Sequence, residues 1–251
     1  MVVGVERFRS HFADHDHQYV LIGGAACELI MDEVGLGFRA TKDLDIVLIV
    51  EALNAAFANR FWAFVEDGGY EIRERSDGEK VLYRFQKPTA DDYPAMLELF
   101  SRTPEGLMLP ADSRFTPLPI DEAAASLSAI LLDEDYYAFL KSMVREAGGI
   151  PVLHEAAIIP FKARAWLDLT RERERGGKVD EKNVRKHRND VARLVQLLSA
   201  EDDYELPGAV AGDMRTFIEL ASSEEDYDPK QFNVNMTRDD VVSRLRAAYR
   251  L

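Results

Sequence analysis

Two stretches near the N-terminus decide the fold: residues 18–34, QYVLIGGAACELIMDEV, and residues 39–50, RATKDLDIVLIV. In the first stretch an apolar run ends at Gly23 and Gly24, a pattern typical of a buried strand that turns into a helix. The second stretch opens with Asp-Leu-Asp and continues as an apolar run, which predicts a central strand of a sheet. The sequence therefore predicts a strand, a glycine turn, a helix and a second strand.

The two aspartates at the start of the second strand, Asp43 and Asp45, are candidate metal ligands. Residues two apart in a strand point to the same face, so the two carboxylates would repel each other. A divalent cation relieves that repulsion, and Mg²⁺ takes one or two carboxylates together with substrate phosphates. Such a pair can hold two metals for in-line displacement. The alternative is a solvated strand start with polar residues facing water.

The glycine turn, Gly23-Gly24, is a candidate phosphate-binding site. Glycine lets the backbone approach a ligand closely, and the N–H groups at the start of a helix favour anions. The alternative is a tight strand-to-helix turn that binds nothing.

Taken together, Gly23-Gly24, the following helix and Arg39-Ala-Thr41-Lys-Asp43-Leu-Asp45 resemble the DNA polymerase β-type nucleotidyltransferase superfamily. The Arg-x-Thr-x-Asp-x-Asp form is similar to the AbiEii-type branch, which includes toxins of bacterial toxin–antitoxin pairs. The 18 residues between Gly24 and Asp43 suit this branch. The resemblance places Arg39 and Thr41 at the rim of the nucleotide site.

The resemblance implies a third carboxylate on a later strand, and Met96-Leu-Glu98-Leu-Phe100 supplies one. A lone acid among apolar residues is costly to bury unless it is paired or metal-bound. Glu98 would complete a metal set with Asp43 and Asp45, or help to deprotonate the acceptor. Aspartate is commoner at this place in the superfamily, and the alternative is an edge-strand residue that faces water.

The branch also carries a helical lysine and a later Lys-Asp-x-x-Asp-like element. Lys162 fits the first and would hold the triphosphate as a point charge. Lys186 and Asp190 fit the second, with His187 in place of the usual aspartate. The alternative for Lys186 and Asp190 is a salt bridge one turn apart on a surface helix.

The resemblance implies an α+β fold: a nucleotidyltransferase-type mixed sheet flanked by helices in residues 1–118, and a mainly helical part in residues 119–251 that contributes to the active-site cleft. The implied activity is transfer of a nucleoside monophosphate from an NTP to an acceptor hydroxyl, with Mg²⁺ or Mn²⁺ as cofactor. The acceptor would be a tRNA end, a protein or a small molecule, and an antitoxin would be a partner. The rival hypothesis is a non-catalytic module that binds a nucleotide or a protein.

Periodicity predicts the remaining elements. Strands are expected at residues 70–75 and 80–86, joined by a hairpin at Asp77-Gly78, and at residues 95–100. Residues 101–119 hold four prolines and are expected to be a connector. From Asp121 onward the pattern predicts helices, listed here with their bounds: 155–175, 182–198 and 237–249. Pro160 is expected to start or kink the first of them.

The net charge and the composition limit the classes of partner that the chain is expected to bind. The formal net charge is −14, which disfavours a whole-chain nucleic-acid footprint. Residues 162–193 nevertheless hold 11 Lys/Arg and 6 Asp/Glu, an excess of +5 that could hold a nucleotide or an RNA end, or simply form a solvated face. No apolar run suits a membrane span or a signal peptide, and Cys27 alone allows no internal disulfide. These features predict a cytoplasmic protein without a membrane partner.

Overall fold

The two stretches that decide the fold form neighbouring strands of a mixed sheet. The computed structural model describes residues 2–74, 82–100, 116–117, 130–131, 133–224 and 227–251. Within these residues the sheet has eight strands in the order β6-β3-β4-β5-β2-β1-β8-β7. The strands are β1 (Tyr19–Ile22), β2 (Asp43–Leu48), β3 (Glu71–Glu74), β4 (Leu82–Gln86), β5 (Met96–Phe100), β6 (Thr116–Pro117), β7 (Val144–Ala147) and β8 (Ile150–Leu153).

Pairing directions explain how the middle of this sheet is built. β1 runs antiparallel to β2, β2 runs parallel to β5, and β5 runs antiparallel to β4. All four residues of β1 are buried, and β2 is buried throughout from Ile46 onward. The prediction of a buried first strand and a central second strand is therefore confirmed.

Three helices, α1 (Val5–His11), α2 (Gly23–Glu33) and α3 (Ala55–Gly68), belong to the same unit as the sheet. Asn54 caps α3 by accepting a hydrogen bond from the Phe57 amide, and Gly69 ends the helix in the left-handed conformation. Aromatic rings from α1, α3 and β1 pack into one cluster that fixes these elements: Phe8, Phe12, Tyr19, Phe57, Phe61 and Phe64.

The hairpin of β7 and β8 was not predicted. Gly148 and Gly149 connect its strands with positive φ angles of 58° and 75°, a two-residue turn that favours glycine at both positions. β8 is fully buried and pairs in parallel with β1. The chain after residue 121 was expected to be mainly helical, and the structure adds this hairpin to its helices, because the Gly148-Gly149 turn joins two short strands.

This hairpin also changes the division of the chain. One compact unit contains Met1–Asp121 and Val144–Leu153, and the other contains Glu122–Met143 and His154–Leu251. A single boundary after residue 118 was predicted. The physical reason for the difference is the main-chain pairing of β8 with β1, which returns ten residues of the later sequence to the first unit.

The second unit is helical in its described residues. Its α-helices are α4 (Glu134–Ser142), α5 (Glu155–Glu174), α6 (Glu181–Val195), α7 (Gly208–Ser223) and α8 (Arg238–Tyr249), with a 3₁₀ turn at Pro229–Phe232. α7 begins after Pro207, which has no capping side chain, and Asp135 of α4 instead accepts a hydrogen bond from the Ala209 amide. Thr237 and Asp240 form a capping box at the start of α8.

Pro160 lies inside α5, which continues without interruption from Glu155 to Glu174. A proline has no N–H, so the Ala156 carbonyl cannot receive its usual helical hydrogen bond from residue 160. The hydroxyl of Tyr249 donates to this carbonyl at 2.8 Å, and both residues are buried. Pro160 was expected to start or kink this helix; the first alternative is wrong, because α5 begins at Glu155, and the second stays a prediction. Tyr249 of α8 supplies the donor that the proline lacks.

Most other predicted elements are confirmed within two or three residues of their expected ends. The hairpin turn predicted at Asp77-Gly78 lies outside the described residues, as does most of the connector predicted at 101–119. Among the helices that the structure describes, none combines the length and the apolar composition needed to cross a bilayer.

Replacing Tyr249 with phenylalanine should lower the free energy of unfolding by about 1–3 kcal/mol, because the Ala156 carbonyl is left buried without a donor. In a Pro160→Ala background the same replacement should cost less, since residue 160 regains an N–H for that carbonyl. Denaturant unfolding of the four proteins measures both losses. Equal losses in the two backgrounds would contradict the role given to Tyr249.

Candidate active site

Asp43 and Asp45 lie on one face of β2. Both are half-buried, whereas Leu44 between them is fully buried on the opposite face. The strand alternation therefore presents two carboxylates to the same side of the sheet. This is the arrangement that the Asp-x-Asp spacing predicts.

A row of charged side chains crosses the sheet at the level of Asp45. In the strand registers, Asp45 is paired with Glu98 of β5, and Glu98 is paired with Arg84 of β4. Residues at paired positions of neighbouring strands share a face and have side chains within contact distance. We refer to Arg84, Glu98 and Asp45 as the charged row. Two of the three predicted carboxylates are thus neighbours.

Arg84 binds Glu98 directly. Its Nε donates to Oε1 of Glu98 at 2.6 Å, and a second guanidinium nitrogen makes an ion pair with the same oxygen. The exposed fractions of the two side chains are only 11% and 10%. Arg84 was not among the predicted site residues. Its place between Tyr83 and Phe85 in a predicted strand was the available signal, but the register against β5 was needed to interpret it.

The environment of Glu98 favours its protonated form. Burial of the side chain, and then the negative charge of Asp45, raise the pKa of Glu98 to about 8, although Arg84 acts in the opposite direction. The protonated carboxyl group also forms a hydrogen bond with Asp45. A single arginine therefore compensates only part of the negative charge that the two acids would carry.

The glycine turn fits tightly against the same carboxylate. Gly23 has a φ of 68°, and a Cβ placed on it would lie 1.7 Å from Oδ2 of Asp45. A Cβ on Gly24 would lie 2.9 Å from Oγ1 of Thr41. Glycine is thus needed at position 23 both for the backbone conformation and for the approach of Asp45. Asp45 lies beside the start of α2, where the partial positive charge of the helix favours a carboxylate or a phosphate.

Arg39 and Thr41 belong to the irregular segment between α2 and β2. The guanidinium of Arg39 lies 5.4 Å from the centre of the Phe38 ring. Thr41 packs against Gly24. The structure thus brings Thr41 to the glycine turn, while the predicted contact of Arg39 with a nucleotide stays a prediction.

The residues fit a divalent cation in part. Mg²⁺ commonly uses one or two protein carboxylates and completes its coordination with substrate phosphates and water. Asp43 and Asp45 on one strand face match that need. Within the described residues, however, no group of three or more His, Cys, Asp or Glu side chains is placed to hold a metal. Arg84 already binds Glu98, the third predicted ligand. A metal site made of Asp43, Asp45 and Glu98 together therefore stays a prediction.

The remaining predicted residues lie in the second unit. Nζ of Lys162 on α5 lies 3.2 Å from Oδ2 of Asp190 on α6, and Arg193 donates to the other oxygen of Asp190 at 3.1 Å. The Asp190 side chain is completely buried, and Lys162 is nearly so. Lys162 and Asp190 therefore form a buried pair between helices. Lys186 is half-buried on α6, and its predicted nucleotide contact is untested.

Comparisons with known proteins were made over the whole chain. No protein-family model matches the sequence, and no curated protein matches it. A solved structure, the crystal structure of an antigenic nucleotidyltransferase-like protein from Paracoccidioides brasiliensis, is similar over 99% of this chain and 96% of that chain. The TM-score is 0.47 and the sequence identity is 13%. The family assignment and its AbiEii-type branch stay predictions.

Replacing Gly23 with alanine should destabilise the protein strongly. The left-handed backbone alone costs about 1–2 kcal/mol for a residue with a Cβ, and Asp45 must also move away from the new methyl group. Gly37→Ala is the matched control, because its Cβ would meet nothing within 4 Å and its φ is not positive. Thermal unfolding should show a large loss for the first variant and about 0.5 kcal/mol or less for the second. Similar losses would argue against the packing of Asp45 on Gly23.

Glu98 should make the stability of the metal-free protein depend on pH. The pKa of Glu98 is about 8 in the folded protein and 4.5 for an unperturbed glutamate. Between pH 4.5 and pH 8 the folded state therefore binds more protons than the unfolded state. The contribution of Glu98 to stability is full below pH 4.5 and is lost as the pH rises through 8. Unfolding in the presence of a chelator should therefore show stability falling across this window.

Glu98→Gln should flatten that fall, since the amide does not titrate. Glu66→Gln, at an exposed position on α3, is the control and should keep the wild-type profile. An unchanged pH profile in Glu98→Gln would contradict the assignment.

Proposed function

We propose that the chain is a metal-dependent nucleotidyltransferase that moves a nucleoside monophosphate from an NTP to an acceptor hydroxyl. The observation that carries the proposal is the meeting of the Asp45 carboxylate with Glu98 on one side and with the glycine turn at Gly23 on the other. Nucleotidyl transfer requires carboxylates that hold a cation and, close to them, a group such as a helix N-terminus that binds phosphate. The motif resemblance supplies the family context.

In this proposal Asp43 and Asp45 hold Mg²⁺, or Mn²⁺ in its place, together with oxygens of the triphosphate. When bound, the cation neutralises phosphate charge and stabilises the charge that develops in the transition state. Gly23 and Gly24 direct the N–H groups at the start of α2 toward the triphosphate. Arg39 and Thr41 form the rim of the nucleotide site.

The chemical step is an in-line substitution at the α-phosphorus. The acceptor oxygen forms the new bond to phosphorus, the bond from phosphorus to the bridging oxygen of the β-phosphate breaks, and pyrophosphate leaves. Glu98 lies next to Asp45, whose charge helps to keep it protonated; a cation bound at Asp45 would offset that charge, and the ionised Glu98 would then accept the proton of the acceptor hydroxyl. Arg84 positions the Glu98 carboxylate through the hydrogen bond to Oε1.

By resemblance to the AbiEii-type branch, Lys162 and Lys186 are proposed to bind phosphate, and Asp190 to position Lys162, with which it is paired. The same resemblance supports a role as the toxin of a toxin–antitoxin pair. A cytoplasmic location is part of the proposal, and the use of a single cysteine, Cys27, which allows no internal disulfide, is consistent with it.

The rival function is a non-catalytic module that binds a nucleotide or a partner protein. The ion pair of Arg84 with Glu98 favours it, because an arginine can replace the cation that a catalytic site would need. A module of this kind would keep the charged row for stability and would bind divalent cations weakly. The two functions therefore differ in metal affinity and in turnover.

The test is incubation with each labelled NTP, Mg²⁺ and three kinds of acceptor: tRNA, protein and small alcohols. The labelled nucleotide should be transferred to one of these acceptor classes. Asp45→Asn should slow the transfer at least about 100-fold, because loss of a metal ligand costs several kcal/mol in the transition state. Asp32→Asn, at an exposed position on α2, is the control with the same chemical change. Production in a bacterial host should arrest growth with the wild type and not with Asp45→Asn.

Two results would defeat the enzymatic proposal. One is an absence of transfer to every acceptor class, and the other is equal transfer by the wild type and Asp45→Asn. Calorimetry with Mg²⁺ and NTP then tests the rival, which predicts binding of the nucleotide without metal dependence.

A further inference from the structure

A pocket of about 710 Å³ opens in the first unit where β2 and β5 begin and β4 ends. Its floor contains Asp43, Met96 and Gln86, which are paired across these three strands. A volume of this size is in the range that proteins use for small molecules. Two of its lining residues, Asp43 and Thr41, were assigned above to the metal and to the rim of the nucleotide site, and the rest of the pocket was assigned no ligand.

The floor of this pocket is continuous with the charged row. Asp43, Met96 and Gln86 each lie two residues along their strands from Asp45, Glu98 and Arg84, so both rows share one face of the sheet. Since a strand rises about 3.3 Å per residue, the rows are about 7 Å apart. A ligand in the pocket would therefore lie beside the carboxyl groups of the charged row.

The lining of the pocket is mainly apolar. The residues that provide this surface are Val3, Ala40, Pro88, Ala90, Tyr93 and Ala95. Its charged residues balance, with Lys42 and Lys87 against Asp43 and Asp91. Lys87 is also engaged by Glu71 at 3.0 Å. The pocket thus suits an apolar body with a few polar groups and offers no excess of positive charge.

The pocket adjoins the glycine turn but extends away from it: Thr41 lines the pocket and also packs against Gly24. In the strand order β4-β5-β2-β1, the pocket belongs to the β4 and β5 side, whereas Gly23 follows β1. In-line displacement places the acceptor and the leaving pyrophosphate on opposite sides of the phosphorus. If the triphosphate lies at the glycine turn, the acceptor lies on the side of the pocket.

We propose that this pocket binds the acceptor, and that the acceptor is a small, largely apolar molecule with a hydroxyl group rather than RNA. The assignment of the ligand as an acceptor rests on the proposed function. The existence of the pocket and the chemical class of its ligand are inferred from the lining residues alone. RNA binding draws its affinity from many contacts between cations and phosphates. The balanced charges of the pocket, in a chain of net charge −14, do not supply them.

The experiment measures binding without NTP, so that its failure is distinct from a failure of transfer. Methyl-labelled methionine reports on Met96 by NMR while p-cresol or cyclohexanol is titrated. Both alcohols should shift the Met96 signal in a saturable way. Ala95→Trp should weaken this binding about tenfold or more, because the exposed Ala95 lines the pocket and the indole would fill it.

Ala56→Trp is the matched control, since Ala56 is an exposed alanine on α3 outside the pocket. It should bind both alcohols as the wild type does. Absence of a saturable Met96 shift with either alcohol would overturn the proposal, and so would equal binding by Ala95→Trp and the wild type.

Two competitors distinguish the occupants. Each NTP with Mg²⁺ should leave the affinity for the alcohol, read from the Met96 titration, within about twofold, because the triphosphate and the acceptor bind at the same time. Displacement of the alcohol by an NTP would assign the pocket to the nucleoside and overturn the acceptor proposal. Displacement by an oligoribonucleotide would overturn the choice of a small molecule.

Discussion

Charge compensation within the charged row is the constraint on which the site depends. The parallel register of β2 and β5 places Asp45 and Glu98 side by side on a largely buried face. Two uncompensated carboxylates there would cost several kcal/mol. Arg84 on the next strand binds Glu98, and the start of α2 lies beside Asp45. These two positive groups offset part of the negative charge, and the raised pKa of Glu98 removes more of it. Gly23 is required because the helix start must come close to Asp45.

The sequence predicts this part of the fold because its signals are local. Alternation of polar and apolar residues places Asp43 and Asp45 on one face, and Gly23 marks the turn at which a strand becomes a helix. The structure adds a second reason for the glycine at position 23, since a Cβ there would collide with the Asp45 side chain. Its predicted role in phosphate binding stays a prediction.

The features that escaped prediction all depend on pairings between distant residues. Arg84 becomes a partner of Glu98 only through the register of β4 against β5. β8 joins the sheet by pairing Leu21 with Val152, more than a hundred residues later. Pro160 is tolerated within α5 because Tyr249 reaches the Ala156 carbonyl from another helix. Periodicity and turn chemistry describe a segment and its neighbours, so they carry no information on these contacts.

The positive excess of residues 162–193 has a structural explanation that also bears on the acceptor. Four of its five buried or half-buried cations bind acids of the same unit: Lys162 and Arg193 with Asp190, Arg164 with Asp168 and Asp213, and Arg188 with Glu224. From the end of α5 to the start of α6, residues 171–182, the exposed basic residues are interspersed with exposed acids: Glu172, Glu174, Asp180 and Glu181. An excess counted along the sequence therefore does not become a basic surface of the kind that RNA requires. A small acceptor needs no such surface, because burial of its apolar body can supply the affinity.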